Sequence, residues 1–264
     1  MLRKILAITL LVIVTVSGAA YASPKNGSFD FVIIEPGQPG TSADAQPVMD
    51  DLAKYLSAKM GTSVSGVYFN ELKPALKYLA DNKPAWGICG LTFFKSYADK
   101  FMLTPVASTM PQGLDKDIWR IMAPSDGPDS VKDINGTVYG SMLYTPDARK
   151  ILFGKGEAEI PLVIEGTSTP LSKLRWVNRG KAAGVCLNSV QFSVLSGMDS
   201  LSSLKVVYES KKLPNSPVVW FGKATDDAFR LQAILLDMKK DPAAESLLKL
   251  LQTNGFGTAD KELK

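Results

Sequence analysis

Four hydroxyl-bearing positions, Thr41-Ser42, Thr92, Thr145 and Ser189, each follow an apolar run and stand at or near the start of a stretch with helical periodicity. A hydroxyl there can cap the helix. It can also join the free N–H groups and the positive dipole end beside it to hold an oxyanion. Tyr68, Phe93 and Tyr144 lie at strand ends as well, where an aromatic ring either fills a core or closes over an organic substituent. Glu35 follows the first apolar run and could pair a cationic amine, while Asn188 and Gln191 could donate or accept hydrogen bonds at the end of a later strand. Arg149 and Arg175 are expected on helix surfaces.

Other chemistry is excluded by what is missing. The 264 residues contain no histidine, so no Ser-His-Asp or Cys-His pair and no His-ligated zinc can form. Two cysteines, Cys89 and Cys186, cannot make a four-cysteine metal site. Asp50-Asp51 and Asp226-Asp227 are adjacent on predicted helices and point in different directions, which unsuits them as acid and base. The segments GTSAD, GTSTP and GKGEAE have neither the spacing of a nucleophile elbow nor that of a phosphate loop. The expectation is a protein without catalysis, metal or cofactor. A formal charge of +4 is too weak for nucleic-acid binding.

The N-terminus carries an address. Arg3 and Lys4 precede an apolar run from Ile5 to Val16, and Ala20-Tyr21-Ala22 supplies small residues for cleavage before Ser23. The run is too short to span a bilayer, and no cysteine follows it to carry a lipid. Residues 1–22 therefore read as a signal peptide and the remainder as an exported globule.

The elements that position the candidates occur twice. Phe29 to Ile34, Val64 to Phe69 and Ala85 to Cys89 read as strands, alternating with a helix ending at Gly61, a helix capped by Asn70 and one capped by Thr92. The order recurs in Thr137 to Ser141, Pro161 to Glu165 and Ala182 to Leu187. Thr145-Pro146 and Thr169-Pro170 open the intervening helices, and a further helix begins at Ser189. Gly87-Ile88-Cys89 and Gly184-Val185-Cys186 end equivalent strands, and both thiols are expected buried and free. Such alternation predicts two α/β lobes, each with a mostly parallel sheet flanked by helices. Lys205 to Glu209 is a last strand of the second lobe. A strand from Val218 to Phe221 and two helices return to the first. Crossings in Ala107 to Ser125 and Lys211 to Pro217 give lobe 1 as residues 23–112 with 214–264, and lobe 2 as 113–213.

Four segments carry a resemblance over nearly the whole mature chain: FVIIEPGQPGTSADAQPVMDDLAKYLSAKMGTSV, VKDINGTVYGSMLYTPDARK, LSKLRWVNRGKAAGVC and LPNSPVVWFGKATDDAFRLQAILLDMKKDPAAESLLKLLQTNGF. Their order and spacing resemble the phosphate, phosphite and phosphonate binding proteins of ABC importers. That resemblance implies the two-lobe type-2 periplasmic binding fold, a small anionic ligand trapped in the cleft between lobes, and delivery by a periplasmic monomer to a permease in the inner membrane. A same-fold sensor for a membrane histidine kinase or chemoreceptor, or a binder of a different solute, is the alternative. The site it implies comprises Glu35, Thr41, Ser42, Tyr68, Thr92, Phe93, Tyr144, Thr145, Asn188 and Ser189. The chain departs from the family where relatives commonly carry aspartate in the third strand of each lobe, reading PAWGIC and KAAGVC instead.

Overall fold

A computed structural model describes residues 29–196 and 203–263; the proposed signal peptide lies outside them. The first half runs β1 (Phe31–Ile34), α1 (Ser42–Met60), β2 (Gly66–Phe69), α2 (Leu72–Asp81), β3 (Trp86–Cys89), α3 (Leu91–Phe101) and β4 (Leu103–Thr109). Strand β1 lies between β2 and β3, parallel to both, with Ile34 opposite Cys89. The second half repeats this unit. After β5 (Lys116–Asp117) and β6 (Arg120–Pro124) come β7 (Thr137–Gly140), α4 (Ala148–Phe153), β8 (Val163–Gly166), α5 (Pro170–Val177), β9 (Gly184–Leu187), α6 (Ser189–Ser196) and β10 (Leu204–Glu209). Here β7 lies parallel between β8 and β9, with Gly140 opposite Cys186. The two cysteines thus occupy equivalent places, and both are buried and free.

The chain then returns through β11 (Leu213–Pro214), β12 (Pro217–Phe221), α7 (Asp226–Asp237), α8 (Glu245–Leu250) and β13 (Phe256–Thr258). Two mixed sheets result, ordered β13-β4-β12-β3-β1-β2 and β10-β6-β9-β7-β8, with β5 and β11 forming a two-stranded antiparallel ribbon at the crossings. This is the fold class expected from the alternation of elements.

Helices α1, α7 and α8 cover one face of the first sheet, where Leu52, Leu56, Leu231 and Leu235 are fully buried around Trp86 and Phe256. The other face shares one apolar cluster with the second sheet. It runs from Val32 and Phe93 to Val138, Leu143 and Leu152, so the two halves meet through apolar packing as well as across a cleft.

Several helix starts differ from expectation. Asn70 caps nothing: its amide donates to the carbonyls of Gln38 and Gly40, and α2 begins after Glu71. Gly90, not Thr92, is the residue before α3. The Thr145-Pro146 segment does not begin α4, whose N-cap is Asp147. The Thr145 hydroxyl donates to the Thr92 carbonyl and the Asp147 N–H to Ser96 Oγ, so the chain there packs across α3 before it winds. By contrast, Pro170 stands at the first position of α5 and Gly61 closes α1 at φ 66°, as the sequence indicated. Strand β4 is not among the expected strands, and its last residues, from Ala107, lie in the stretch read as the first crossing. Its register against β12 shifts between Val218 and Val219, a bulge that leaves Val106, next to Pro105, without a partner on β12.

Candidate functional site

A cavity of about 420 Å³ lies between the two sheets, beyond the C-terminal ends of β1, β3, β7 and β9. Strand ends of this kind are the usual ligand position in open α/β sheets. Six of the ten expected residues line it: Glu35, Thr41, Tyr68, Thr92, Asn188 and Ser189. The other four lie outside its wall. Phe93 is fully buried in the shared apolar cluster and packs on Tyr97 at 5.0 Å between ring centroids. Ser42 is the exposed first residue of α1. Thr145 is buried and spends its hydroxyl on Thr92. Tyr144 spans the halves, its ring lying where a Cβ on Gly37 or on Gly166 would stand, 2.6 Å and 2.5 Å away.

Each half supplies a differently built wall. From the first sheet, the loop after β1 brings Glu35, and β2 brings Tyr68. The Glu35 carboxyl accepts a hydrogen bond from Ser216, but desolvation by burial outweighs it and pushes the carboxyl up to about 7. The same desolvation, with the neighbouring Glu35 charge, pushes the Tyr68 phenol and the Cys89 thiol up as well. Gly90 lets Glu35 in: a Cβ there would sit 3.0 Å from its Oε2.

At the entry to α1, Thr41 and Asp44 form a reciprocal capping box. The Thr41 N–H and hydroxyl both donate to Asp44 Oδ2, at 2.9 and 2.8 Å, and Thr41 Oγ1 accepts from the Asp44 N–H.

From the second half, α6 begins at the wall. Its Ser189 N–H donates to Asp117 Oδ1 at 2.8 Å, while Trp119 Nε1 donates to Asp117 Oδ2 at 2.9 Å. The Gln191 N–H donates to Asn188 Oδ1 at 2.8 Å, and the Gln191 amide donates to Ser141 Oγ at 2.8 Å. Lys116 is the one cation on the wall among the described residues. It is held by Asp260 at 2.6 Å and Glu262 at 2.9 Å. Arg149 is turned instead to the carbonyls of Ile160 and Leu162, and Arg175 is exposed on α5.

Sequence reasoning missed Asp117, Lys116 and Ser216 because all three sit in the two crossings, where no helical or strand period marks which side chain faces the cleft. Asp117 had one available signal, its place just before the apolar run from Ile118 to Ala123 that becomes β6. Among the described residues no cluster of Cys, Asp and Glu could hold a metal ion, and no helix is long and apolar enough to cross a membrane.

Residues 167–263 match the family described as the periplasmic substrate-binding protein of the phosphonate ABC transporter. No curated protein matches the chain by sequence. Similar solved structures include a Xanthomonas citri protein bound to ATP, at TM-score 0.69 and 16% identity over 90% of this chain and 93% of that one. A binding-protein component of an ABC phosphonate transporter from Pseudomonas aeruginosa aligns at TM-score 0.64 and 15% identity over 89% and 82%. The PhnD1 protein from Prochlorococcus marinus, in complex with methylphosphonate, aligns at 0.63 and 13% over 90% and 94%. The chain has the type-2 periplasmic binding fold, and through residues 167–263 it resembles the phosphonate substrate-binding proteins of ABC transporters.

Proposed function

We propose that this protein is an exported solute-binding protein that encloses a small solute between two lobes and delivers it to the permease of an ABC importer. The observation that carries this reading is the cavity itself, walled by both sheets and bordered by the β5–β11 ribbon at the crossings. On this reading residues 1–22 are removed on export to the periplasm. Residues 23–112 with 214–264 form one lobe and 113–213 the other, and the ribbon is the hinge about which they close. The protein works as a monomer and without catalysis. In support, both oxygens of Asp117 are already engaged, and the other titratable groups close to Glu35, the Tyr68 phenol and Cys89 thiol, are held neutral.

The family match makes phosphonates, phosphite and phosphate the first solutes to try. The polar groups on the wall that could meet them are the Thr92 hydroxyl and the Asn188 side-chain amide N–H groups, since the Ser189 and Gln191 side chains already bond within the second half. The test is a thermal-unfolding screen of the mature protein against phosphate, phosphite, methyl- and aminoethylphosphonate, sulfate, small carboxylates and small amines. A true ligand at 100 times its dissociation constant stabilises by about 2.7 kcal/mol if it binds only the folded state. A flat response across the whole set would sink the solute-binding reading.

A further inference from the structure

The charge on the cavity wall does not suit a bare oxyanion. Three carboxyl groups, Glu35, Asp44 and Asp117, face it against the single cation Lys116, which two carboxylates of the C-terminal segment already hold. Two of the three helix starts on the wall are also taken, leaving the start of α3 at Leu91 and Thr92, which no side chain caps. Asp44 accepts at the entry to α1, and at α6 the N–H groups of Ser189 and Gln191 are given to Asp117 and Asn188. An incoming phosphonate would have the α3 start alone to receive it and would lie beside carboxyl groups of its own sign.

Glu35 is the opposite case. It is half-buried, its carboxyl has Ser216 as its hydrogen-bond donor, and it has no basic side chain beside it on the wall. A carboxylate partly drawn out of water gains when a cation or further donors meet it, and here the space in front of it is the cavity. The Tyr68 ring stands on the same wall, an aromatic surface of the kind ammonium groups favour. The lining also includes the apolar Val48, Met49, Leu250, Leu251 and Phe256. The volume of about 420 Å³ falls in the range of roughly 300–1,000 Å³ that holds drug-sized organic ligands, well beyond one tetrahedral anion.

We propose that the cavity selects a solute carrying a protonated amine on an apolar body, with the amine seated on the Glu35 carboxylate beside Tyr68 and the body lying toward Met49, Leu250 and Phe256. The proposal rests on the solute-binding reading and names the chemical class that the site takes. Glu35 is then the residue that sets specificity, and a ligand of the same shape without the cation binds poorly.

The test uses calorimetry on the mature protein with phenethylamine, its neutral counterpart phenethyl alcohol, methylphosphonate and inorganic phosphate. The amine is expected to bind at least tenfold tighter than the alcohol. Glu35→Gln should remove that advantage, bringing the amine and the alcohol to comparable affinity. Wild-type protein supplies a second measurement that needs no variant. The groups facing Glu35 are Tyr68 from β2, Cys89 from β3 and Ser216 from the return crossing, and the first two stay neutral between pH 6 and 8. Amine affinity should therefore rise across that range as Glu35 ionises, since the ligand remains protonated. Equal binding of amine and alcohol, an unchanged amine affinity in Glu35→Gln, or amine affinity flat or falling with pH overturns the proposal. Binding of the anions alone overturns it too but leaves the solute-binding reading standing. Silence from all four probes overturns the proposal, and the wider solute screen then decides the reading beneath it.

Discussion

The hydroxyl of Thr145 donates to the main-chain carbonyl of Thr92 at 3.1 Å in a buried contact that joins the segment after β7 to α3 of the other half. Two further contacts lie beside it. Asp147 N–H donates to Ser96 Oγ at 3.2 Å, and Gly37 comes so near Ser141 that a Cβ on it would lie 2.2 Å from the Ser141 carbonyl oxygen. The halves are therefore held in register at one edge of the cavity by polar contacts that leave little spare room.

Gly37→Ala tests that fit. Gly37 has φ 90°, a conformation costly for other residues, and the added methyl would meet backbone that cannot swing away. The variant is expected to keep its fold but hold the halves apart, giving a larger radius of gyration by small-angle scattering and solute affinity at least about tenfold weaker, a difference of ~1.4 kcal/mol. Thr145→Val, which removes one hydrogen bond without adding bulk, should cost about 1 kcal/mol in chemical denaturation and leave the scattering profile unchanged.

Phe93 separates core from site. It is fully buried in the cluster shared by the two halves, so Phe93→Ala should lower unfolding free energy by about 3–5 kcal/mol. Phe93→Leu keeps most of the volume and should leave solute affinity within about twofold of wild type. A loss of affinity without a loss of stability would return Phe93 to the ligand site.

Glu35 makes stability depend on pH. Its carboxyl is raised from 4.5 to about 7 in the folded protein, so the folded state binds more protons than the unfolded one between those values. Stability contributed by the protonated group is present below about pH 4.5 and is lost as pH rises toward 7, by at most about 3 kcal/mol. Glu35→Gln should remove this slope, measured as unfolding free energy in urea at pH 5 and pH 8 in the absence of solute.

Much of the fold was readable because its signals are local and doubled. Pro170 and Gly61 mark a helix start and a helix end by backbone preference alone, and the Gly-x-Cys pairs at 87–89 and 184–186 mark equivalent strands because each lies in a buried strand parallel to the first strand of its unit. What misled were side chains with a choice of partner. Asn70 and Thr145 carry groups that can cap a helix, yet each bonds to a distant carbonyl brought near only by the tertiary fold. The same holds at the cavity. Six of the ten expected residues lie on its wall, where strand ends put them, whereas Phe93 was read from position without regard to the turn of α3 that points it inward. The acidic character of the wall was hidden because Asp117 lies in a crossing. Glu35 stood in view, but its partial burial depends on Gly90, which lies between β3 and α3 far along the chain.

The place of β12 has a consequence for the order in which the protein can assemble. It is inserted between β3 and β4 and bonds to both. A growing chain that has emerged only as far as β10 holds every strand of the second sheet, while the first still has a gap at its middle. The half whose residues are made first is thus finished last. During synthesis β3 and β4 wait with open edges for a segment more than a hundred residues away, and a truncated chain leaves that gap as a seam for another strand to enter.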